Sequence, residues 1–294
     1  VLLSGAGTSW GADYYKGVFA AQSGDYATAL REFRPLAEQG DADAQNGLGL
    51  MYLDGEGVPQ DYKTAVKWFS LAAEQGYADA QNNLGFMYRR GQGVPQDYQI
   101  ARKWYTLSAE QGYTNAQYNL GLMYYNGKGV PQDYKTAVKW FSLAAEQGYA
   151  NAQYNLGWMY DNGEGVPQDY KTALKWYTLA AEQGYSRAQK DLGFMYHNGE
   201  GVLQNYKTAF KWYSLAAEQG HATAQHNLGV MYHNGEGVLQ DYVYAHMWWN
   251  IAASNGDENG GKLRDEVAEK MYTRQINKAQ ELAQECVRKE YKGC

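Results

Sequence analysis

Several features that would identify common classes of protein are absent from this 294-residue sequence. It has only two cysteines, Cys286 and Cys294, with no Cys-x-x-Cys pair, which excludes a zinc module or a densely disulfide-bonded scaffold. Its net charge is -6 and it has no long run of lysine or arginine, so it lacks the basic surface that nucleic acid requires. No apolar stretch approaches the length of a membrane span. We therefore expect that the protein neither binds nucleic acid nor spans a membrane.

What the sequence does contain is a repeat. The segment GVPQDYKTAVKWFSLAAEQGYA at 57–78 recurs letter for letter at 129–150, and a looser copy begins halfway between them, at Gly93. The identical copies start 72 residues apart, so the period is 36 residues. A period of this length is typical of stacked units. The predicted division is a leader, a partial repeat, six full repeats and a C-terminal segment: 1–12, 13–40, 41–76, 77–112, 113–148, 149–184, 185–220, 221–256 and 257–294.

Each repeat is predicted to fold as two helices. In the second repeat, apolar residues recur every fourth position over 78–90, as on one face of a helix. Gly91 supplies a left-handed helix end, and Asp97 is placed to cap a second helix over 98–111. One helix pair cannot bury its apolar face alone, but stacked pairs can. The sequence therefore predicts an all-α fold of the α/α solenoid class.

Three columns recur in almost every repeat and are predicted to be structural. One precedes each second helix and has the residues that cap helices, one is tryptophan and predicted to be core, and one is glutamate. The glutamates lie in the last turn of a helix, where the dipole disfavours them, so we expect each to bond an amide or hydroxyl of the next repeat. The columns are Asp61, Asp97, Asp133, Asp169, Asn205 and Asp241; Trp68, Trp104, Trp140, Trp176, Trp212 and Trp248; and Glu74, Glu110, Glu146, Glu182 and Glu218.

The repeating pattern A-x-x-x-L-G-x-M-Y-x-x-G-x-G-V-x-x-D-Y-x-x-A-x-x-W-x-x-x-A-A-E-Q-G resembles the Sel1-like repeat, a relative of the tetratricopeptide repeat with a longer loop. The resemblance covers about residues 25–256. It implies a right-handed superhelical solenoid of 36-residue helix-turn-helix repeats with C-terminal capping helices. It also implies an adaptor that binds other proteins, in a family whose bacterial members include secreted and periplasmic ones.

The segment after residue 256 also resembles the C-terminal end of bacterial Sel1-like proteins. It is predicted to form two amphipathic capping helices, because a solenoid needs a polar cap at its open end. The first includes Leu263, Val267 and Met271. The second runs to Val287, with Thr273 as its N-cap.

Residues 1–12 resemble the end of a signal peptide, with an apolar start followed by small residues. This predicts a periplasmic or secreted protein, with a flexible leader on a cytoplasmic protein as the alternative. In an oxidising compartment Cys286 and Cys294 would form a disulfide that fixes the tail. In the cytosol they would remain free thiols.

We find little in the sequence that predicts catalysis. Some Sel1-like proteins are linked to β-lactams, but the Ser-x-x-Lys motif of serine β-lactamases is absent. All five histidines lie in the C-terminal half, where a metal-dependent hydrolase is conceivable but polar variation on an exposed face is favoured. We therefore predict a protein that is not an enzyme and needs no cofactor.

Three columns along the first helix vary between repeats, and their spacing of four and three residues places them on one stripe. In tetratricopeptide-like solenoids this helix lines the concave face, so the stripe is a predicted groove for a partner protein or peptide, with the middle column less securely exposed than the outer two. The candidate binding residues are Asn82, Phe86, Arg89, Tyr118, Leu122, Tyr125, Tyr154, Trp158, Asp161, Lys190, Phe194, His197, His226 and His233. They are rich in aromatic and arginine side chains, which often dominate interface energies. We expect a monomer, and a glycan-binding envelope component is the alternative.

Overall fold

The computed structural model describes residues 12–294, so all but the last residue of the predicted leader lies outside it. The described residues form sixteen helices and no strand, as the all-α prediction requires. In chain order these are α1 (Tyr14–Gln22), α2 (Tyr26–Glu38), α3 (Ala42–Asp54), α4 (Tyr62–Glu74), α5 (Ala78–Arg90), α6 (Tyr98–Glu110), α7 (Thr114–Asn126), α8 (Tyr134–Glu146), α9 (Ala150–Asn162), α10 (Tyr170–Glu182), α11 (Ser186–Asn198), α12 (Tyr206–Ala217), α13 (Ala222–Asn234), α14 (Tyr242–Ser254), α15 (Gly260–Ala268) and α16 (Thr273–Arg288).

The helix boundaries follow the predicted signals. Helix α5 ends at Gly91, whose φ of 70° is the left-handed conformation that glycine adopts without a Cβ penalty. Helix α6 begins after Asp97, whose carboxylate accepts hydrogen bonds from the backbone N–H groups of Gln99 at 2.8 Å and Ile100 at 3.0 Å. The other five residues of the predicted capping column also accept hydrogen bonds from backbone N–H groups at the start of their helices. The predicted caps are confirmed.

The chain divides into two compact units, one ending at Leu143 and the other beginning at Ala144 within α8. In both units the core is built from a second helix and the first helix of the following repeat. In the first unit, Phe69 of α4 packs with Leu84 and Met87 of α5. In the second unit, Tyr177 of α10 packs with Leu192 and Met195 of α11. Each repeat therefore completes its core with its neighbour.

Within each helix pair, a glycine of the first helix lies against a large aromatic ring of the second. A Cβ built on Gly193 would lie 2.5 Å from Cδ1 of Tyr213, and one on Gly85 would lie 2.8 Å from Cδ1 of Tyr105. Such distances are far inside van der Waals contact, so only glycine permits this approach. The same pairs recur in the other repeats as Gly49–Phe69, Gly121–Phe141, Gly157–Tyr177 and Gly229–Trp249.

A buried glutamine connects neighbouring repeats. The side-chain amide of Gln45 donates to the carbonyl of Ala37 at the end of α2, at 3.1 Å. Its Oε1 accepts from Nε2 of Gln75 at the end of α4, at 2.8 Å. This satisfies a carbonyl that has no partner within its own helix. The pattern recurs at Gln81, Gln189 and Gln225, with Asn255 donating to the last of these.

The expected role of the glutamates is therefore filled by the glutamines. Glu74, Glu110, Glu146 and Glu182 are exposed. Within the described part of the chain, only Glu218 of that column has a hydrogen-bond partner, the backbone N–H of Gly293 at 3.2 Å. The prediction is wrong for the other four, and the hydrogen bond between repeats is instead made by the following glutamine, as at Gln75, Gln111 and Gln183.

The assignment of the tryptophan column to the core is also wrong, except at Trp248, which is 3% exposed. The other five tryptophans are partly buried, and Trp68 packs against the core cluster of the preceding repeat. The preceding lysine lies over each of these rings, with Nζ 5.4 Å from the centroid for Lys175 and Trp176. The fully buried aromatic is the next residue, such as Phe69 or Tyr177.

The C-terminal segment forms the two expected helices, with differences in detail. The N-cap of α16 is Tyr272 rather than Thr273, and its N–H donates to Oε1 of Gln275 at 2.9 Å. Val287 is exposed, whereas Cys286 is buried and packs in the core beside α14. Cys286 forms a disulfide with Cys294. The chain end thus folds back on the last repeat.

The glycine–aromatic contact predicts the effect of adding one methyl group. We expect Gly193→Ala to lower the free energy of unfolding by about 1–3 kcal/mol, because the Tyr213 ring must move. Gly261→Ala is the matched control, since its added Cβ would meet nothing nearer than Ala253 at 3.9 Å. Urea denaturation followed by circular dichroism measures both. Equal stability of the two variants would contradict close packing at Gly193.

Candidate functional site

The middle column of the predicted stripe is its most exposed part. Leu50 is 37% exposed, Trp158 38% and Phe194 46%, while Phe86, Leu122 and Val230 are partly buried. Every member is apolar, and the column has three members in each unit, on α3, α5 and α7 and on α9, α11 and α13. We call these six residues the apolar column. Phe86 and Val230 pack against core clusters, whereas Leu50, Trp158 and Phe194 expose apolar surface that has no evident role in packing.

The first column of the stripe packs between repeats, contrary to the expectation that the outer columns would be more exposed. Asn82 is 8% exposed, and its Oδ1 accepts from Nδ2 of Asn119 in the next repeat at 3.0 Å. Asn46 accepts from Asn83 in the same way at 2.9 Å. These side chains connect neighbouring first helices and offer little surface to a ligand.

Tyrosines of the first column lie over the core ring of their own repeat. The rings of Tyr118 and Phe141 are 5.7 Å apart, and those of Tyr154 and Tyr177 are 5.6 Å apart. Tyr154 also contacts Tyr185 at 5.0 Å. Burial raises the pKa of Tyr154, and the charge of Asp191 raises it further. Both tyrosines are partly buried, so they support the face more than they project from it.

The third column is matched to the core aromatic sixteen residues later. Asp161 accepts a hydrogen bond through Oδ2 from the hydroxyl of fully buried Tyr177 at 3.3 Å. Where the core residue is phenylalanine, the third-column residue is Leu53 or an aromatic ring, Tyr125, whose centroid is 6.4 Å from Phe141. Where it is tyrosine, the third-column residue is polar: Arg89 with Tyr105, Asp161 with Tyr177 and His197 with Tyr213. Part of the variation in this column therefore serves the core.

In the second repeat, two arginines lie beside an aromatic ring of the apolar column. The guanidinium carbons of Arg89 and Arg90 lie 5.5 Å and 5.7 Å from the ring centroid of Phe86, within the range of a cation–π contact. Burial raises the pKa of Tyr105 to about 12, with Arg89 opposing the shift. Leu122 continues the apolar column one repeat further on, in α7.

In the fourth repeat, Asp161 takes the position of Arg89, and the charges of other carboxylates act near it. Burial raises the pKa of Asp161, and the nearby charge of Asp191 adds to the effect. Burial also raises the pKa of Glu200, with the charge of Asp161 as the second cause. Lys190 forms an ion pair with Asp191. Glu200 was not among the candidates from sequence, although its place in the loop recurs as glutamate at Glu56, Glu164 and Glu236.

Three of the five histidines have individual partners. His197 Nε2 lies 3.5 Å from Glu236 Oε2, His226 Nδ1 lies 3.0 Å from Asp257 Oδ1, and His233 stacks on Tyr242 with centroids 5.3 Å apart. Over residues 12–294, no group of three or more metal-binding side chains converges. The structure therefore gives no support to a metal site built from the C-terminal histidines. Over the same range, no helix has the length and apolar character needed to cross a bilayer.

We compared the chain with known protein families and solved structures. The Sel1 repeat family matches residues 42–77, 78–113, 114–149, 150–185, 186–221 and 222–257. The structure is similar to a Sel1 repeat protein from Oxalobacter formigenes, with a TM-score of 0.72 and 32% identity over 81% of this chain and 96% of that chain. It is also similar to c5321, a protective antigen present in uropathogenic Escherichia coli strains, with a TM-score of 0.53 and 27% identity over 95% of this chain and 85% of that one. No curated protein matches the chain.

The chain belongs to the Sel1 repeat family, and its fold is the α/α solenoid of that family. Both conclusions confirm the predictions from sequence. Sel1 repeat solenoids are commonly protein-interaction scaffolds and are generally not catalytic.

The pairing of the third column with the core predicts energetic coupling between Asp161 and Tyr177. Asp161→Leu alone leaves a buried hydroxyl without its acceptor, which we expect to cost about 1–3 kcal/mol. The double variant with Tyr177→Phe recreates the Leu53–Phe69 pairing of the first repeat, so it should recover much of the loss. Urea denaturation of the wild type, the two single variants Asp161→Leu and Tyr177→Phe, and the double variant gives the coupling energy. Effects that add to within about 0.3 kcal/mol would contradict the pairing.

The raised pKa of Asp161 predicts a pH-dependent stability difference. The unfolded chain ionises this group near pH 4, whereas the folded chain resists ionisation, so the wild type loses stability as pH rises through that range. We expect Asp161→Asn to be more stable than wild type at pH 7, by a small amount because the group is partly solvated. The difference should vanish near pH 3. Thermal unfolding at both pH values tests this, and an Asn variant less stable at pH 7 would contradict it.

Proposed function

We propose that this protein is a non-enzymatic scaffold that binds a segment of another protein along the first-helix face of its repeats. The observation that supports the proposal most is the exposure of the apolar column. Stacking holds the residues around it nearly constant, as in the glycine and glutamine columns. At the apolar column itself, the side chain varies among leucine, phenylalanine, tryptophan and valine but stays apolar.

The partner contacts are expected to centre on Trp158 and Phe194. Both are exposed members of the apolar column on neighbouring first helices of the second unit. Tryptophan is among the residues that most often dominate binding energy. The partly buried Tyr154 supports this face. Asn82 has the smallest role of the candidate residues, because its side chain is buried and paired.

We further propose that the protein works as a monomer in an oxidising compartment, periplasmic or secreted. The disulfide between Cys286 and Cys294 supports this location, because such bonds persist in oxidising compartments and are rare in the cytosol.

The proposal predicts that a Trp158→Ala/Phe194→Ala variant loses its partner. The experiment captures proteins from envelope and secreted fractions of the source cells, identifies them by mass spectrometry, and measures affinity with the purified partner by calorimetry. We expect the variant to bind at least tenfold more weakly, since truncating one hot-spot residue costs on the order of 2 kcal/mol.

The matched control is Leu107→Ala/Leu179→Ala. The exposed fractions of these leucines, 38% and 37%, are close to that of Trp158, which is 38%. The leucines, however, lie on the second helices α6 and α10. Full binding by the control and weak binding by the Trp158/Phe194 variant would support the proposed face. The opposite pattern would place the binding surface on the second helices and overturn the proposal.

A further inference from the structure

Two carboxylates lie close enough for their charges to interact where the fourth and fifth repeats meet. Asp161 lies near the end of α9, and Glu200 lies in the loop after α11. One repeat further along, the equivalent residues are His197 and Glu236, whose Nε2 and Oε2 atoms are 3.5 Å apart. The repeat geometry therefore places side chains at these two positions within reach of each other. The negative charge of Asp161 acts on Glu200, as this geometry requires.

The seam between α9 and the loop after α11 has a carboxylate where the neighbouring seam has the imidazole of His197. At the next seam, His197 stands opposite Glu236, but here two acids meet. Over residues 12–294, neither Asp161 nor Glu200 has a lysine, arginine or histidine within salt-bridge distance. The one cation whose charge reaches Asp161 is Lys190, and it is already paired with Asp191. The hydroxyl of Tyr177 engages only one oxygen of Asp161.

Two exposed aromatic side chains occupy equivalent positions in the two repeats that contribute these acids. Trp158 precedes Asp161 by one helical turn on α9, and Phe194 precedes Glu200 in the following repeat. A lysine or arginine can lay its alkyl stem along an aromatic ring while its charged head reaches a carboxylate. Arginine in particular forms strong, directional hydrogen bonds with carboxylates.

The second repeat shows the complementary arrangement. There, Phe86 and Arg89 occupy the positions of Trp158 and Asp161, and the protein's own Arg89 and Arg90 cover the Phe86 ring. The cation–aromatic contact is formed internally at that repeat. At the fourth repeat the aromatic ring and the acids are present without a cation of the protein.

We propose that Asp161 and Glu200, flanked by Trp158 and Phe194, hold a lysine or arginine side chain of a partner peptide in which that residue lies beside apolar residues. This inference rests on the proposed function and specifies the chemistry of its partner. A cation at this point removes the repulsion between the two acids, so binding is favoured by charge complementarity as well as by apolar contact.

The probe is a library of random twelve-residue peptides displayed on phage and selected against the full chain. We expect the wild type to enrich peptides that contain lysine or arginine next to leucine or an aromatic residue. The Asp161→Asn/Glu200→Gln variant, which keeps the shape of both side chains, should lose the preference for basic residues. The Trp158→Ala/Phe194→Ala variant should enrich none of these peptides, and circular dichroism would show that all three proteins are folded.

A selected peptide is then compared by calorimetry with its counterpart in which citrulline, a neutral analogue, replaces arginine. We expect the replacement to weaken binding to the wild type about tenfold and to leave binding to the Asp161→Asn/Glu200→Gln variant unchanged. Equal loss of affinity for both proteins, or wild-type enrichment of peptides without basic residues, would overturn this inference while leaving the proposed face intact. Undiminished binding by the Trp158/Phe194 variant, or no enrichment by the wild type, would instead overturn the proposed function.

Discussion

The structure depends on the contact between a helix glycine and a large aromatic ring. In each repeat the ring occupies the space where any other residue would have a Cβ, as at Gly157 and Tyr177. This sets how closely the two helices of a pair approach, and the ring then extends to the first helix of the following repeat. Because the ring contacts both, the geometry within a pair and the stacking between pairs are determined by one residue. The buried glutamines then connect helix ends that this packing has already brought together.

The same ring also constrains the surface. A buried tyrosine hydroxyl needs a hydrogen-bond partner, and Asp161 meets that need from the third column. A phenylalanine has no such need, so Leu53 can occupy the same position in the first repeat. Variation between repeats is therefore not all available to a ligand. The middle column is free of this coupling, which is why it is the part of the stripe that best indicates recognition.

The sequence was sufficient to predict the helices, the caps and the family, because glycine, aspartate and the 36-residue period act locally. It was less able to show which of two adjacent residues that recur in the repeats makes the structural contact. Neighbouring positions differ by about 100° on a helix, and both lie near the edge of an apolar face. Trp176 and Tyr177 illustrate the difficulty: both are large and aromatic, but only the second fits against Gly157. Glu182 and Gln183 are both exposed, but only the glutamine donates to the side chain of buried Gln153.

The placement of the candidate binding residues depended on contacts across repeats that a single period does not show. Asn82 looked variable, but it pairs with Asn119, 37 residues later. Glu200 was missed because its significance lies in facing Asp161 from the next repeat. Residues of this kind become recognisable only when a position is compared with the residues that neighbour it in the following repeat.

The two identical segments at 57–78 and 129–150 begin 72 residues apart, a distance of two whole repeats. Recombination between them would remove or add two repeats and rejoin the chain without creating any new junction sequence. The contacts that define a repeat are made within it or with its immediate neighbours, so each kind of contact would persist in the altered chain. The length of such a protein can therefore change in evolution by discrete steps, while the phase of its helices stays the same.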